Sequence, residues 1–367
     1  MYKKVLKIGS IIIMLFVIIY LGSLISWVFR PLVVFVQTLF LPILLAGIMY
    51  YLFRPLVTLL SKKMPRALAI LLLYVGLIAL GIGVISFIGP ELQKQFTNLI
   101  VSMPVIIAEL QLLITNLQQN ELVVRFGLSE VFSIEDYIEQ IGLVVGGLVG
   151  DIFTRSVGII GTVFSALLLL FIVPFILFYL LKEGERLPKY FLKFFAEDKQ
   201  DEIKPILTNM DKTLSSYIQG VLIVCSFIGV LYYIGFTSIG LEYALVLAIF
   251  GMITNVIPYL GPWIGAIPSV TVALLHSPMM ALFVLIIVVV IQQIESIFVQ
   301  PQIIGKKMSL HPVTVMALVL VAGRFIGIVG MILVIPIYAI GKVIVTHLYR
   351  LWKVKEEGKR NDMNESV

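Results

Sequence analysis

Long runs of apolar residues dominate the chain, and short polar stretches separate them. A helix that crosses a bilayer needs about 20 apolar residues, and six runs meet this requirement. The six predicted spans are residues 8–29, 32–53, 67–89, 156–181, 215–236 and 279–299. This pattern predicts an all-α fold, a polytopic bundle of transmembrane helices.

Two further apolar stretches, 241–276 and 313–347, contain residues that break helices. Unsatisfied backbone groups are costly in hydrocarbon, so non-helical backbone persists there only inside protein or along a wet cavity. We therefore predict two broken hairpins, which either cross the membrane fully or re-enter it, and paired broken helices are the usual sequence pointer to a transport site. The residues that we assign to shaping them are Pro258, Gly261, Pro262, Gly265, Pro268, Gly327, Gly330 and Pro336.

Composition supports a membrane protein. Of the 367 residues, 60% are hydrophobic and 13% are charged, whereas a soluble domain carries about a quarter charged residues. The net charge of +6 is read as a topology signal and not as a nucleic-acid footprint, because the basic residues flank the spans. The single cysteine, Cys225, lies in an apolar span and excludes an intramolecular disulfide.

The distribution of lysine and arginine orients the spans. Lys3, Lys4 and Lys7 place the N-terminus in the cytoplasm. The apolar run after them is longer than the core of a secretory signal and ends at Arg30-Pro31, so it is expected to be an uncleaved first span. Carried along the chain, the rule predicts a multi-pass protein of the plasma (cytoplasmic) membrane with both termini cytoplasmic. It also gives the two hairpins opposite orientations.

A weak internal repeat relates the hairpins at an offset of 68 residues. It aligns Ile264, Ile267 and Pro268 with Ile332, Ile335 and Pro336. In so apolar a sequence, chance similarity explains this alignment as well as a true repeat does. Inverted repeats underlie many alternating-access transporters.

We divide the chain into four regions. They are 1–90 with the N-terminal spans, 91–155 as an extracytoplasmic amphipathic helical region, 156–352 as the C-terminal membrane region with a cytoplasmic loop at 182–214, and 353–367 as a disordered cytoplasmic tail. Region 91–155 is acidic, with apolar residues at helical spacing, an interruption at Pro104 and a second helix from Ser133 to about Asp151. It lies on the membrane, packs on a partner subunit or folds back, and the last two are favoured together. An apolar stripe in 182–214 predicts a helix packed under the bundle.

Ionisable and amide groups at depth are the candidates for transport and coupling. Glu295, Gln292 and Gln293 form a polar stripe on the span 279–299. Glu295 either handles a cation or proton or is an interfacial carboxylate, since Pro301 is only about 8 Å further along. Arg324 lies either near mid-depth with an anionic partner or among external headgroups. Asn255 either satisfies freed backbone groups or binds a polar solute.

Enzyme chemistry finds no support in the sequence. It contains no His-Glu-x-x-His zinc helix, no Gly-x-Ser-x-Gly elbow and no Gly-x-x-x-x-Gly-Lys-Ser/Thr phosphate loop. We expect a protein that is not an enzyme, with no metal and no cofactor, whose transport is coupled to an ion gradient.

Several short motifs, in order and spacing, identify a family. They are Phe178-Tyr179-Leu180-Leu181-Lys182 after Pro174, Tyr217-Ile218-Gln219-Gly220, Asn255 to Pro262, Gln293-Ile294-Glu295, Pro301 to Lys306, Leu310-His311-Pro312 and Gly327 to Pro336. With them the chain resembles the autoinducer-2 exporter family of membrane proteins, the PerM-type permeases. The resemblance implies a polytopic transporter that forms a homo-oligomer. Gln219 stands where many members carry arginine.

Three functions remain open at this point. The first is export of a small polar organic signal such as autoinducer-2, coupled to an ion gradient. The second is sodium(lithium)/proton antiport, and the third is a non-transporting oligomeric scaffold or sensor. The expected partners are the lipid bilayer, a small polar solute or a monovalent cation or proton, and further copies of the chain, but not nucleic acid.

Overall fold

The computed structural model describes residues 26–119, 159–299 and 311–365, with a few positions before residue 26. Its helices are α1 (Ser26–Leu60), α2 (Arg66–Gln118), α3 (Ile159–Glu183), α4 (Leu187–Leu192), α5 (Glu197–Ser238), α6 (Ala244–Thr254), α7 (Gly261–His276), α8 (Pro278–Ile294), α9 (Pro312–Ile326) and α10 (Ile328–Glu365). Five helices among the described residues are long and apolar enough to cross a membrane. The predicted all-α transmembrane bundle is confirmed.

Several helices are longer than the predicted spans. At a rise of 1.5 Å per residue, α1 is about 52 Å long and α2 about 80 Å long. Helix α1 passes through Arg30 and Pro31, and α2 passes through Pro104, so the predicted break at each position is wrong. Proline removes one backbone hydrogen bond but keeps a helical φ, so a strongly apolar helix continues past it.

A neighbouring helix compensates for a further proline in α1, Pro55. Pro55 in α1 has no N–H group, which leaves the carbonyl of Tyr51 without its usual donor. The Nε2 of Gln219 on α5 donates to that carbonyl at 2.7 Å and to Ser215 Oγ at 3.0 Å. Gln219 thus has a structural role that joins α1 to α5.

The polar C-terminal part of α2 packs against other helices of the same chain. Leu99 packs against the main apolar core, and the Ser102 hydroxyl lies 3.3 Å from that of Tyr243. The described part of region 91–155 therefore packs against the residues at the start of α6, and the predicted boundary at residue 90 falls inside α2. The helix predicted from Ser133 to Asp151 lies outside the described residues.

The region 182–214 and the C-terminal tail are both helical continuations. Helix α5 begins at Glu197 and runs on into the predicted span 215–236, with Ile206 of the apolar stripe buried. Helix α10 continues to Glu365, so the disorder predicted for 353–367 is wrong as far as that residue. Lysine, arginine and glutamate are good helix formers, and they extend a helix that the apolar residues have already nucleated.

The first hairpin consists of α6, a turn over residues 255–260, and α7. The two helices are about 16 and 24 Å long, each shorter than the hydrocarbon core of about 30 Å. The turn satisfies its backbone internally: Ile257 N donates to Thr254 O at 2.9 Å and Gly261 N to Ile257 O at 2.8 Å. A Cβ on Gly261 would collide with the carbonyl of Thr254, which explains the glycine.

The second hairpin pairs α9, about 22 Å long, with the apolar part of α10, Ile328–His347, which has spanning length. Gly327 joins them at φ 71° and ψ −151°, a region open essentially to glycine alone. Ile257 and Leu260 near the first hairpin's turn pack against Val315 and Val319 near the start of α9. The tip of the first hairpin therefore packs against the second hairpin.

Ion pairs tie the helices together at one end of the bundle, which we call the basic end. It is the level of Arg54, Arg66, Glu185 and Asp211. Arg54 Nη1 contacts Asp211 Oδ2 at 2.7 Å and joins α1 to α5. Arg66 donates to both carboxylate oxygens of Glu185 at 2.9 Å and to Leu181 O at 2.7 Å. Hydrogen bonding from Arg66 lowers the pKa of the Glu185 carboxyl, which lies outside the spans.

Replacement of Gly261 tests the tight turn of the first hairpin. We expect Gly261→Ala to lower the free energy of unfolding by about 1–3 kcal/mol, because the added methyl has backbone, not a movable side chain, in its way. Chemical unfolding in mixed micelles, followed by circular dichroism, measures the change. Gly81→Ala is the matched control, since a Cβ there meets nothing within 4 Å. Equal stability of the two variants would contradict the described turn.

Candidate transport site

Two buried polar side chains meet at the tip of the first hairpin. Asn255 follows the last residue of α6 and Glu295 follows the last residue of α8. The Asn255 Nδ2 lies 3.5 Å from Glu295 Oε1, at the outer limit of a hydrogen bond, although the residues are 40 positions apart. They are 7% and 6% exposed. Sequence reasoning chose both residues separately, and the fold brings them together.

Packing of α6 against α5 places this pair at depth. A Cβ on Gly251 would meet the ring of Tyr232, so α6 lies close against α5 there, and the Asn255 side chain lies beside the Cys225 thiol. Cys225 lies about 20 Å along α5 from its end at Ser238. The pair therefore lies beside the apolar middle of α5 and not at its end.

The backbone around Glu295 departs from the α-helix. Residues Glu295–Val299 form a π-helical turn directly after α8. Such turns are rare and occur frequently at functional sites, because the widened turn changes the direction of side chains. The departure begins at the buried carboxylate itself.

A second polar contact lies one turn earlier on α8. Gln292 Nε2 donates to the hydroxyl of Tyr232 at 3.3 Å. The Tyr232 ring is buried and stacks on Phe236 with centroids 5.4 Å apart. Gln292 and Glu295 thus both face α5, as their spacing of three residues predicts.

Cys225 and Tyr232 are members of this cluster that sequence reasoning missed. They are seven positions apart on α5, a spacing that puts both on one helix face. That spacing was the only available signal, and it is common in any apolar helix.

The remaining predicted residues lie elsewhere. Gln293 is exposed, and its Oε1 is 3.4 Å from Ser296 Oγ. Arg324 is exposed in the last turn of α9, and within the described part of the chain it forms no hydrogen bond or ion pair to Glu295, Asn255 or Gln292. Of the shaping residues, Pro258 lies in the first turn, Gly261, Pro262, Gly265 and Pro268 in α7, Gly327 between α9 and α10, and Gly330 and Pro336 in α10.

An open cleft of about 500 Å³ lies at the other end of the first hairpin. It is lined by Glu91, Lys94, Gln95, Asn98, Tyr233, Thr237, Gly240, Leu241, Glu242, Tyr243 and Ala244. Gln95 Oε1 accepts from Leu245 N at 3.1 Å and so caps α6, while Gln95 Nε2 donates to Glu91 Oε1 at 2.9 Å. Helix α6 therefore begins in the cleft and ends beside Asn255 and Glu295.

Among the described residues, the chemistry available at the tip is that of one carboxylate, Glu295, beside neutral polar groups. A buried glutamate can hold a proton or a monovalent cation, and an amide and a hydroxyl can hydrogen-bond a solute. No group of three or more His, Cys, Asp or Glu side chains suited to a metal ion occurs among the described residues.

Comparison with known proteins identifies the family of this chain. The model of the family described as AI-2E family transporter matches residues 8–350. YueF of Bacillus subtilis (strain 168) is 38% identical over 348 residues, which cover 95% of this chain and 94% of YueF. YrrI of the same organism is 32% identical over 292 residues, 79% and 81% of the two chains. YhhT of Escherichia coli (strain K12) is 26% identical over 187 residues, 51% and 52%.

All three relatives are named as candidate transport proteins. The apolar helices and these matches define a multi-pass membrane protein of the transporter class. The chain belongs to the AI-2E transporter family, and the resemblance found in the sequence is confirmed.

Removal of the Asn255 amide tests the contact at the tip. We expect Asn255→Ala to lower the free energy of unfolding by about 1–3 kcal/mol, because the buried Glu295 loses a donor. Asn98→Ala is the control, since Asn98 is exposed, and its effect should stay within about 0.5 kcal/mol. Both are measured by chemical unfolding in mixed micelles. Equal, small effects would mean that the amide does not interact with the carboxylate.

Proposed function

We propose that this chain is a secondary transporter of the plasma membrane that exports a small polar organic signal such as autoinducer-2, with export coupled to an ion gradient. The observation that carries the proposal is the buried Asn255–Glu295 contact at the tip of the first hairpin. Membership of a transporter family supports transport, and the cluster supports the polar solute and the coupling.

The roles follow from the chemistry of each group. Glu295 binds the coupling proton or cation, because it is the carboxylate that the described core buries. Asn255 and Gln292 hydrogen-bond the solute through their amides. Protonation of Glu295 changes its contact with Asn255, so the state of the carboxylate is linked to the position of the hairpin. Arg324 and Gln293 remain candidates for charge balance and for the wall of the path.

Sodium(lithium)/proton antiport is the second candidate. The same buried carboxylate favours it, because exchange of a proton for a monovalent cation needs such a group. The cluster otherwise consists of amide, thiol and phenol groups, and Glu295 is its only acid among the described residues. For this reason we place solute export first.

We also propose that the protein forms a homo-oligomer with both termini in the cytoplasm. Beyond the predicted third span, α2 exposes Phe96, Val101, Val105 and Leu112, and exposed apolar patches outside a membrane mark interfaces. A monomeric mass by light scattering of the purified protein would contradict the oligomer. A C-terminal reporter active only outside the cytoplasm would contradict the orientation.

Efflux from proteoliposomes tests the proposed function. Vesicles containing the purified protein are loaded with autoinducer-2, and efflux is followed with and without an imposed proton gradient. We expect gradient-dependent efflux from the wild type and at least a tenfold loss in Glu295→Gln, which keeps the shape and removes the ionisable group. Glu202→Gln is the matched control, since Glu202 is exposed on α5 and its removal should leave efflux unchanged.

Each contrary outcome points to a different conclusion. Wild-type efflux equal to that of empty vesicles, from verified folded protein, removes autoinducer-2 as the substrate. Full efflux by Glu295→Gln removes Glu295 from coupling. Sodium-dependent proton movement without solute efflux makes antiport the leading function. Folding of every variant is checked by chromatographic elution and thermal unfolding.

A further inference from the structure

A second cavity lies at the basic end, away from the transport site. It is an open cleft of about 330 Å³ between α1 and α5, within the size range of small-ligand sites. Its walls are Arg54, Pro55, Thr58, Leu59, Lys62, Ser215 and Gln219. The proposed transport function uses none of these residues.

The cleft carries a net positive charge. Arg54 and Lys62 line it, and Asp211 is the acid that contacts Arg54, at 2.7 Å. Asp211 also interacts with the Tyr51 side chain, so its charge is shared between two partners. Two cations against one carboxylate leave an excess positive charge beside the cleft.

Arg54 is held in place for binding. Its Nη1 is engaged by Asp211, and its Cζ lies 5.6 Å from the centroid of the Tyr50 ring. A guanidinium has five N–H donors, so donors remain after the contact with Asp211. The hydroxyl groups of Thr58 and Ser215 and the amide of Gln219 add neutral polar groups to the same walls.

One flank of the cleft is apolar and open. Leu59 is 62% exposed, and Pro55 beside it is also exposed. By the distribution of basic residues this end faces the cytoplasm, where anionic lipids are attracted to basic groups next to spans. A ligand with an anionic phosphate head and an acyl chain matches both the charged wall and the apolar flank.

We propose that this cleft binds the anionic phosphate headgroup of a membrane lipid, with Arg54 and Lys62 on the phosphate and the acyl chain along Leu59. Gln219 connects the cleft to the fold, because it lines the cavity and also satisfies the Tyr51 carbonyl freed by Pro55. A bound headgroup would therefore strengthen the junction of α1 and α5.

Lipid binding to the full-length purified protein tests the site. Native mass spectrometry counts bound phosphatidylglycerol and phosphatidylcholine, and thermal unfolding in detergent measures stabilisation by each. We expect preferential retention of phosphatidylglycerol and a higher unfolding temperature with it. Lys62→Gln should weaken this binding about fivefold, as expected for one basic residue near a membrane surface.

Lys63→Gln is the matched control. Both lysines are exposed and both follow the C-terminus of α1, where cations offset the helix dipole, but only Lys62 lines the cleft. Arg54→Gln should weaken binding further. If Arg54→Gln unfolds because it loses the ion pair with Asp211, the comparison of Lys62→Gln with Lys63→Gln still tests the site. The control should bind phosphatidylglycerol as the wild type does.

Inorganic phosphate separates the two sources of the anion. Stabilisation by phosphatidylglycerol but not by phosphate supports the lipid, whereas equal stabilisation by millimolar phosphate overturns the lipid and assigns the cleft to a free anion. Equal binding of the two lipids by the wild type overturns the proposal. Equal loss of phosphatidylglycerol in Lys62→Gln and Lys63→Gln overturns the assignment to this cleft.

Discussion

The hydrogen bonds of the non-helical backbone at the tip of the first hairpin are the constraint on which the rest of this structure depends. Hydrocarbon offers no partner for a free N–H or C=O group. The turn over residues 255–260 meets the constraint with its own bonds, among them Ile257 N to Thr254 O at 2.9 Å. Glycine at 261 permits that close return. A turn satisfied in this way can sit at depth, and it carries Asn255 to Glu295.

The same constraint explains how proline is tolerated in the long helices. Pro55 frees the Tyr51 carbonyl, and Gln219 supplies the missing donor from α5. Helices α1 and α2 also continue through Pro31 and Pro104, where local sequence signals predict breaks. As a result α2 reaches the start of α6, where Gln95 caps the hairpin helix from outside. The C-terminal part of α2 therefore helps to hold the first hairpin in place.

Two polar sites of different character result from this arrangement. The tip of the first hairpin buries one carboxylate among an amide, a thiol and a phenol, in surroundings that disfavour permanent charge. The cleft between α1 and α5 instead gathers permanent cations at the level where lipid headgroups lie. One suits reversible binding of a proton, cation or solute, and the other suits a lasting contact with the membrane.

The sequence by itself determined the helical class, the positions of the spans within α1, α2, α5 and α8, the two broken hairpins and the individual choice of Asn255, Gln292 and Glu295, because hydrophobic length and the cost of buried polar groups are local properties. Only the tertiary structure decided that Asn255 meets Glu295, that Cys225 and Tyr232 join them, and that Arg324 does not. It also decided that helices pass through Pro31 and Pro104. Contacts between residues 40 positions apart depend on how α5, α6 and α8 pack. Local sequence patterns do not determine that packing.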